Sequence, residues 1–180
     1  MSERLTPIPL DSLNWTVSEL IYEHYLAAGV LAIGDWENQP IWTNHHLIEL
    51  GHPATRILHN PKWKPGTFPE AGKYSLPILI EQAKLQAWPL GAWKVPAYGF
   101  SPVVILDSAE GVIRIVNASY YAYFKRQYPT ATWWIGTDDT KPIVIRMETK
   151  AVGLIMPIID YWEAIKNSKV IEKAREEAKR

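Results

Sequence analysis

Residues 103–156 read VVILDSAEGVIRIVNASYYAYFKRQYPTATWWIGTDDTKPIVIRMETKAVGLIM, and they set the fold class. Val103–Leu106 and Val112–Val116 are β-branched runs, and the turn-rich Asp107–Gly111 between them is a hairpin signal. Asn117 can cap a helix over about Ala118–Tyr128, which Pro129 stops. Thr132–Ile135, Ile143–Met147 and Val152–Met156 follow as three strands joined by short polar turns. Connections this short call for antiparallel pairing, because a parallel crossover needs roughly a dozen residues.

Working outward, a charged helix runs from Asp160 to Arg180. Ala164, Asn167, Ile171, Ala174 and Ala178 recur three and four apart along it. That stripe is narrow and small, which predicts a projecting or weakly packed helix with a solvated charged face. Upstream, Ser75 can cap a helix over Leu76–Trp88, with Pro77 tolerated in its first turn. Pro89–Ser101 reads as a loop, broken by Pro89, Pro96 and two glycines. Residues 51–73 are rich in proline, glycine and asparagine and read as a long surface loop. Leu13, Val17, Leu20, Ile21 and Ala28 have helical spacing, with Asp11 or Ser12 as cap and Gly29 as terminator. Val30–Ile33 and Ile41–Thr43 read as a hairpin, His46–Leu50 as a third strand, and residues 1–10 as a lead-in. The predicted fold is α+β, with antiparallel sheets and packed helices. Two similar halves share one domain over residues 1–159, followed by the charged helix over 160–180.

The 180 residues hold no cysteine, and 47% are hydrophobic against 21% charged. A chain of this length buries roughly 70% of its unfolded surface, so it needs no disulfide or structural metal. Lys+Arg and Asp+Glu are both 19, so any nucleic-acid contact has to come from a local patch. No apolar run is long enough to span a membrane. No signal pattern opens the chain, and a cytoplasmic location is the simplest expectation. Nine tryptophans and nine tyrosines are unusual. Their spread from Trp15 to Trp162 assigns most of them to the core and leaves some for a binding surface.

The motifs of catalysis are missing. Histidines stand at positions 24, 45, 46, 52 and 59. A metal site needs three or four converging ligands, and neither HExxH nor HxH spacing occurs. Asp35 and Glu37 can join such a cluster, although acids in a hairpin turn are ordinary. No serine sits in a GxSxG elbow, and no glycine-rich phosphate loop is present. Asp138–Asp139 fits a turn better than a cation site. No cofactor is implied. For nucleic acid the local candidates are Lys62 and Lys64 around Trp63, with Lys84, Lys94, Lys125 and Arg126. Solvated loop lysines, and cations complementing a helix C-terminus, explain these equally well. Gln82, Leu85 and Trp88 have the Gln-x-x-Leu-x-x-aromatic spacing of peptides that dock on sliding clamps, and helix packing explains that triplet too.

Two stretches carry a resemblance. One runs from Asn117-Ala-Ser-Tyr-Tyr-Ala-Tyr-Phe124 through Lys141-Pro-Ile-Val-Ile145 to Val152-Gly-Leu-Ile-Met-Pro-Ile158. The other is Gly29-Val-Leu-Ala-Ile33 with Trp42-Thr-Asn-His-His-Leu47. Together they resemble the bacterial DNA polymerase sliding clamp, in the order of their elements as well as in their residues. The resemblance implies a non-enzymatic replication accessory of a phage or mobile-element kind, assembled from several copies. It places a groove for clamp-binding peptides at Met156, Pro157 and Ile158, and it implies contact with DNA. Asn44-His45-His46-Leu47 departs from the family's Asp-Gly-His-x-Leu pattern. Helix Leu13–Ala28 carries Glu19 and Glu23 and no Lys or Arg, unlike a helix that faces DNA. Two other readings stand beside this one. The first is an unrelated α+β binding protein with an aromatic surface for a protein or ligand. The second is a metal-dependent hydrolase using the His24–His59 cluster.

Overall fold

The β-branched run at residues 103–106 shows no alternation of apolar and polar residues, as a strand buried on both faces requires. The computed structural model, which describes residues 5–13, 47–49, 56–58, 76–94, 102–158, 165 and 169–179, places it next to the end of a single sheet. The elements in chain order are β1 (Thr6–Ile8), a 3-10 turn (Leu10–Ser12), β2 (Leu47–Glu49), β3 (Arg56–Leu58), α1 (Leu76–Gln82), β4 (Leu85–Lys94), β5 (Val103–Ser108), β6 (Ile113–Asn117), α2 (Ala118–Gln127), β7 (Thr132–Ile135), β8 (Ile143–Met147), β9 (Lys150–Ile155) and α3 (Lys169–Ala178). The strand order is β3-β2-β9-β8-β7-β4-β5-β6, and β1 pairs with β4. Every pairing is antiparallel, so the predicted α+β class with an antiparallel sheet holds.

Local chemistry accounts for the junctions. Gly111 turns the β5–β6 hairpin at φ 77, a left-handed conformation that glycine adopts without strain. The Ser108 hydroxyl donates to the Val112 carbonyl at 3.0 Å and accepts from the Val112 amide at 3.1 Å, closing the loop. Asn117 caps α2 by accepting the Ser119 amide at 2.8 Å. Pro129 follows the end of the helix, where the Tyr128 amide bonds the Phe124 carbonyl at 2.8 Å.

The core explains the shape. Ala118 to Phe124 are all buried, and that run covers the whole circumference of a helix. Its partners in one apolar cluster are Ala87, Val104, Leu106, Val116, Trp133, Ile143, Ile145, Val152 and Ile155, drawn from β4 through β9. Tyr121 stacks on Trp133 at 4.8 Å between centroids, and Phe124 meets the same indole edge-on at 6.5 Å. The sheet therefore curls around α2. The connection after β9 gives an independent measure of the curl. The Ile158 amide donates to the Ile115 carbonyl on β6 at 2.8 Å. In a flat sheet β6 would lie five strand spacings, about 24 Å, from β9. Three residues reach at most about 11 Å, so the two ends of this span have been brought together. Arg114 adds a strut on the concave side. Its Nη1 donates to the Ile113 carbonyl at 2.7 Å and its Nη2 to the Gly136 carbonyl beyond β7 at 2.6 Å.

The convex face carries two helices. Thr132 and Arg146 are paired in register, and their neighbours Trp133 and Ile145 point to the core. Arg146 therefore faces outward, where its Nη2 donates to the Ile80 carbonyl of α1 at 2.7 Å and its guanidinium lies 4.8 Å from the Trp134 ring. At the other end, Ile165, which precedes α3, and Ile171 of α3 pack with Trp93, Val103, Ile105, Ile113 and Ile115. Strand β4 serves both faces through a bulge between Pro89 and Gly91. Pro89 sits between the stretch of β4 paired with β7 and the stretch paired with β1, where a missing amide is tolerated. After the bulge Ala92 faces the inner core and Trp93 the outer cluster. The Trp93 indole lies back over Gly91, where a Cβ would stand 2.6 Å from the ring.

Several expectations need correction. The helix over Leu76–Trp88 ends at Gln82, and β4 occupies the expected loop from Pro89 as far as Lys94. The bulge accommodates both breakers, and the sequence pattern does not reveal that. The loop at 51–73 contains β3, and the lead-in contains β1, because each finds a neighbouring strand. The terminal helix does not project: Ile171 is 4% exposed and Ala174 packs beside it. Leu13 is extended after the 3-10 turn, and the rest of the helix at 13–28 and the hairpin at 30–43 lie outside the described residues, and with them most of the predicted first half.

Gly91→Ala is expected to lower the unfolding free energy by about 1–3 kcal/mol, the usual cost of overpacking. Urea denaturation of both proteins measures it. An unchanged midpoint would show that the indole does not rest on Gly91.

Candidate functional site

The β4–β5 register sets Trp88 opposite Asp107 on the convex face, at the turn end of the β5–β6 hairpin. Helix α3 crosses above. Ile171 anchors it, and Arg175, one turn later, reaches down to the sheet. The guanidinium forks onto the carboxylate, with Nε to Oδ2 at 2.9 Å and Nη2 to Oδ1 at 2.8 Å. Nη2 also donates to the Gly111 carbonyl at 3.1 Å. Asp107 is 5% exposed and takes a further bond from the Ser108 amide at 3.0 Å. The hydrogen bonds to Asp107, and then its charge, raise the Arg175 pKa against the effect of burial. Beside the fork a cleft of about 500 Å³ opens, lined by Trp88, Leu90, Ala109, Gly111, Ala178 and Lys179 with the ion pair. Trp88 is 42% exposed, an unusual state for an indole in a central strand.

The residues singled out from sequence are dispersed. Met156, Pro157 and Ile158 leave β9 half-buried. Ile158 is the most engaged of the three, bonded to β6 and packed on the outer cluster. Lys84 precedes β4 and Lys94 ends it, about 30 Å apart along a strand of this length. Lys125 and Arg126 lie in the last turn of α2, where the Lys125 ammonium donates to the Pro129 carbonyl at 3.0 Å. The triplet Gln82, Leu85 and Trp88 is not one helical face. Gln82 ends α1, Leu85 packs on the inner core, and Trp88 faces outward. All five histidines, with Asp35, Glu37, Lys62, Trp63 and Lys64, lie outside the described residues. Among the described residues no group of three acids or histidines could hold a metal. No helix there is long and apolar enough to cross a membrane. Asp138 forms the expected turn, accepting the Thr140 hydroxyl at 2.6 Å and the Thr140 amide at 2.9 Å.

Asp107, Arg175 and Arg114 were not among the sequence candidates. The sequence pattern places Asp107 in a turn and Arg175 on a solvated face. The spacing of Arg175 four residues after Ile171 was the available signal. Arg114 is 4% exposed. Burial lowers its pKa, and the charges of Asp139 and Asp138 pull it partly back.

Arg175→Ala would strand the buried Asp107 carboxylate. Removing one partner of a fully buried pair costs about 3–5 kcal/mol. The Arg175 side chain is 35% exposed, and water reaching the site trims the expected loss to about 2–3 kcal/mol. Arg175→Lys is expected to recover only part of it, because an ammonium cannot fork onto both oxygens. Thermal unfolding of the two variants checks the order. The Asp138 turn gives a second test. The Thr140 hydroxyl and then the Thr140 amide hold the Asp138 carboxyl below its ordinary value of 3.8. A depressed carboxylate stabilises the turn above the unfolded value and loses that effect as pH falls through the folded one. The Thr140 amide resonance is expected to titrate with a midpoint below 3.8.

Compared with protein-family models, with curated proteins and with solved structures, the chain finds no match in any of the three.

Proposed function

We propose that this chain is a non-enzymatic interaction protein of the sliding-clamp kind, a cytoplasmic replication accessory that binds partner peptides. The observation that carries the reading is the order of elements in residues 117–158. A helix opens at Asn117, a strand follows, and an acidic turn at Asp138–Asp139 leads through Pro142 into β8. The last strand then gives out into Met156, Pro157 and Ile158. This is the order that the resemblance implies for a half-domain. Met156 and Pro157 are half-buried where β9 ends, and a methionine thioether adapts to varied partners. Contact with DNA through Lys84, Lys94, Lys125 and Arg126, and assembly of several copies, belong to the same proposal.

A fluorescent peptide with Gln-x-x-Leu-x-x-aromatic spacing is expected to bind the full chain. Met156→Ala is expected to weaken it by about 1–2 kcal/mol, roughly tenfold, as truncation of a central contact does. Absence of binding to the unmodified chain in fluorescence anisotropy would overturn the proposal. The exposed indole of Trp88 favours a second reading, a protein with an aromatic surface for a ligand.

A further inference from the structure

The cleft between Trp88 and α3 has an unbalanced set of polar groups. Its side-chain acceptors and the Gly111 carbonyl are in use. Both Asp107 oxygens take Arg175, the Ser108 hydroxyl is committed to Val112, and the Gly111 carbonyl takes Arg175 Nη2. Its donors are not. The Trp88 indole N–H, Arg175 Nη1 and Lys179 Nζ have no partner among the described residues. A ligand that satisfies this cleft must therefore bring acceptors. Arg175 and Asp107 cancel, so Lys179 leaves the lining one positive charge, and the fitting acceptor is an anion. The guanidinium is also pre-positioned, since two of its nitrogens are pinned and the third is left to point elsewhere.

The apolar wall is as specific. Trp88 presents an indole that is 42% exposed, and Leu90 and Ala178 add to the apolar lining. An aromatic face of this kind stacks a planar ring. The cleft volume of about 500 Å³ falls within the range of small-molecule sites, roughly 300–1,000 Å³. We infer that this cleft binds a planar aromatic ring bearing a phosphate or carboxylate, with the ring on Trp88 and the anion on Arg175 Nη1 and Lys179. This inference does not depend on peptide binding at Met156.

The test is an NMR titration of the full chain with indole nitrogens labelled, the Trp88 signal being assigned from its loss in Trp88→Phe. The probes are adenosine 5′-monophosphate and 1-naphthoate, with adenosine and inorganic phosphate as controls. At least one aromatic anion is expected to shift the Trp88 signal saturably, with a Kd of about 1 mM or tighter, and adenosine alone about tenfold more weakly. Lys179→Ala is expected to weaken binding about three- to tenfold and to reduce its dependence on salt. Both side chains are exposed, so the variants keep the fold. Silence from both aromatic anions at about 10 mM would overturn the inference. Equal binding of adenosine, or a Kd indifferent to Lys179→Ala, would overturn it as well.

Discussion

A helix buried around its whole circumference needs a wall on every side, and that requirement shapes this molecule. The consecutive side chains from Ala118 to Phe124 include Tyr120, Tyr121, Tyr123 and Phe124, all of them buried. A flat sheet covers only one side of a helix. Six strands, β4 to β9, curl to enclose this one, and the aromatic contacts with Trp133 hold it against them. The curl explains why Arg114 can bridge β6 to Gly136 with a single side chain. It also explains why three residues suffice to carry the chain from β9 to the edge of β6.

Curling leaves a convex face that also has to be covered, because β5 is apolar on both sides. Helix α3 covers it with Ile171 and seals the end with a buried ion pair. A buried carboxylate is a poor source of net stability, since its desolvation offsets most of the attraction. Its clearer contribution is registry. The Arg175 fork meets both Asp107 oxygens in one rotational setting of α3, and that setting shapes the cleft beside Trp88.

The second half of the chain was legible because its signals are local. The unbroken apolar run at Val103–Leu106, the Asn117 cap, Pro129 and the Asp138 turn each act within a few residues. Strand β4 was not legible, because Pro89 and Gly91 are tolerated only through a bulge and a gap between two partner strands. Helical spacing at Gln82, Leu85 and Trp88 reinforced the wrong reading. Strand β2 falls within the strand read at His46–Leu50, whereas β3, three residues long, is too short to show a period. The site was hidden for the same reason. Asp107 and Arg175 acquire meaning only when a hairpin and a distant helix meet, and no spacing between them encodes it.

The bond between Ile158 and Ile115 bears on how the chain is made. Strand β6 leaves the ribosome well before Ile158 does, so its outer edge waits for its own cover. In that interval the Ile113 carbonyl can be masked by the neighbouring Arg114 side chain, whereas the Ile115 carbonyl has no local substitute. An unpaired strand edge is a template for other chains. The β6 edge is thus open to mispairing after α2 has been synthesised and before the segment past β9 arrives. Synthesis that pauses between those points lengthens that exposure.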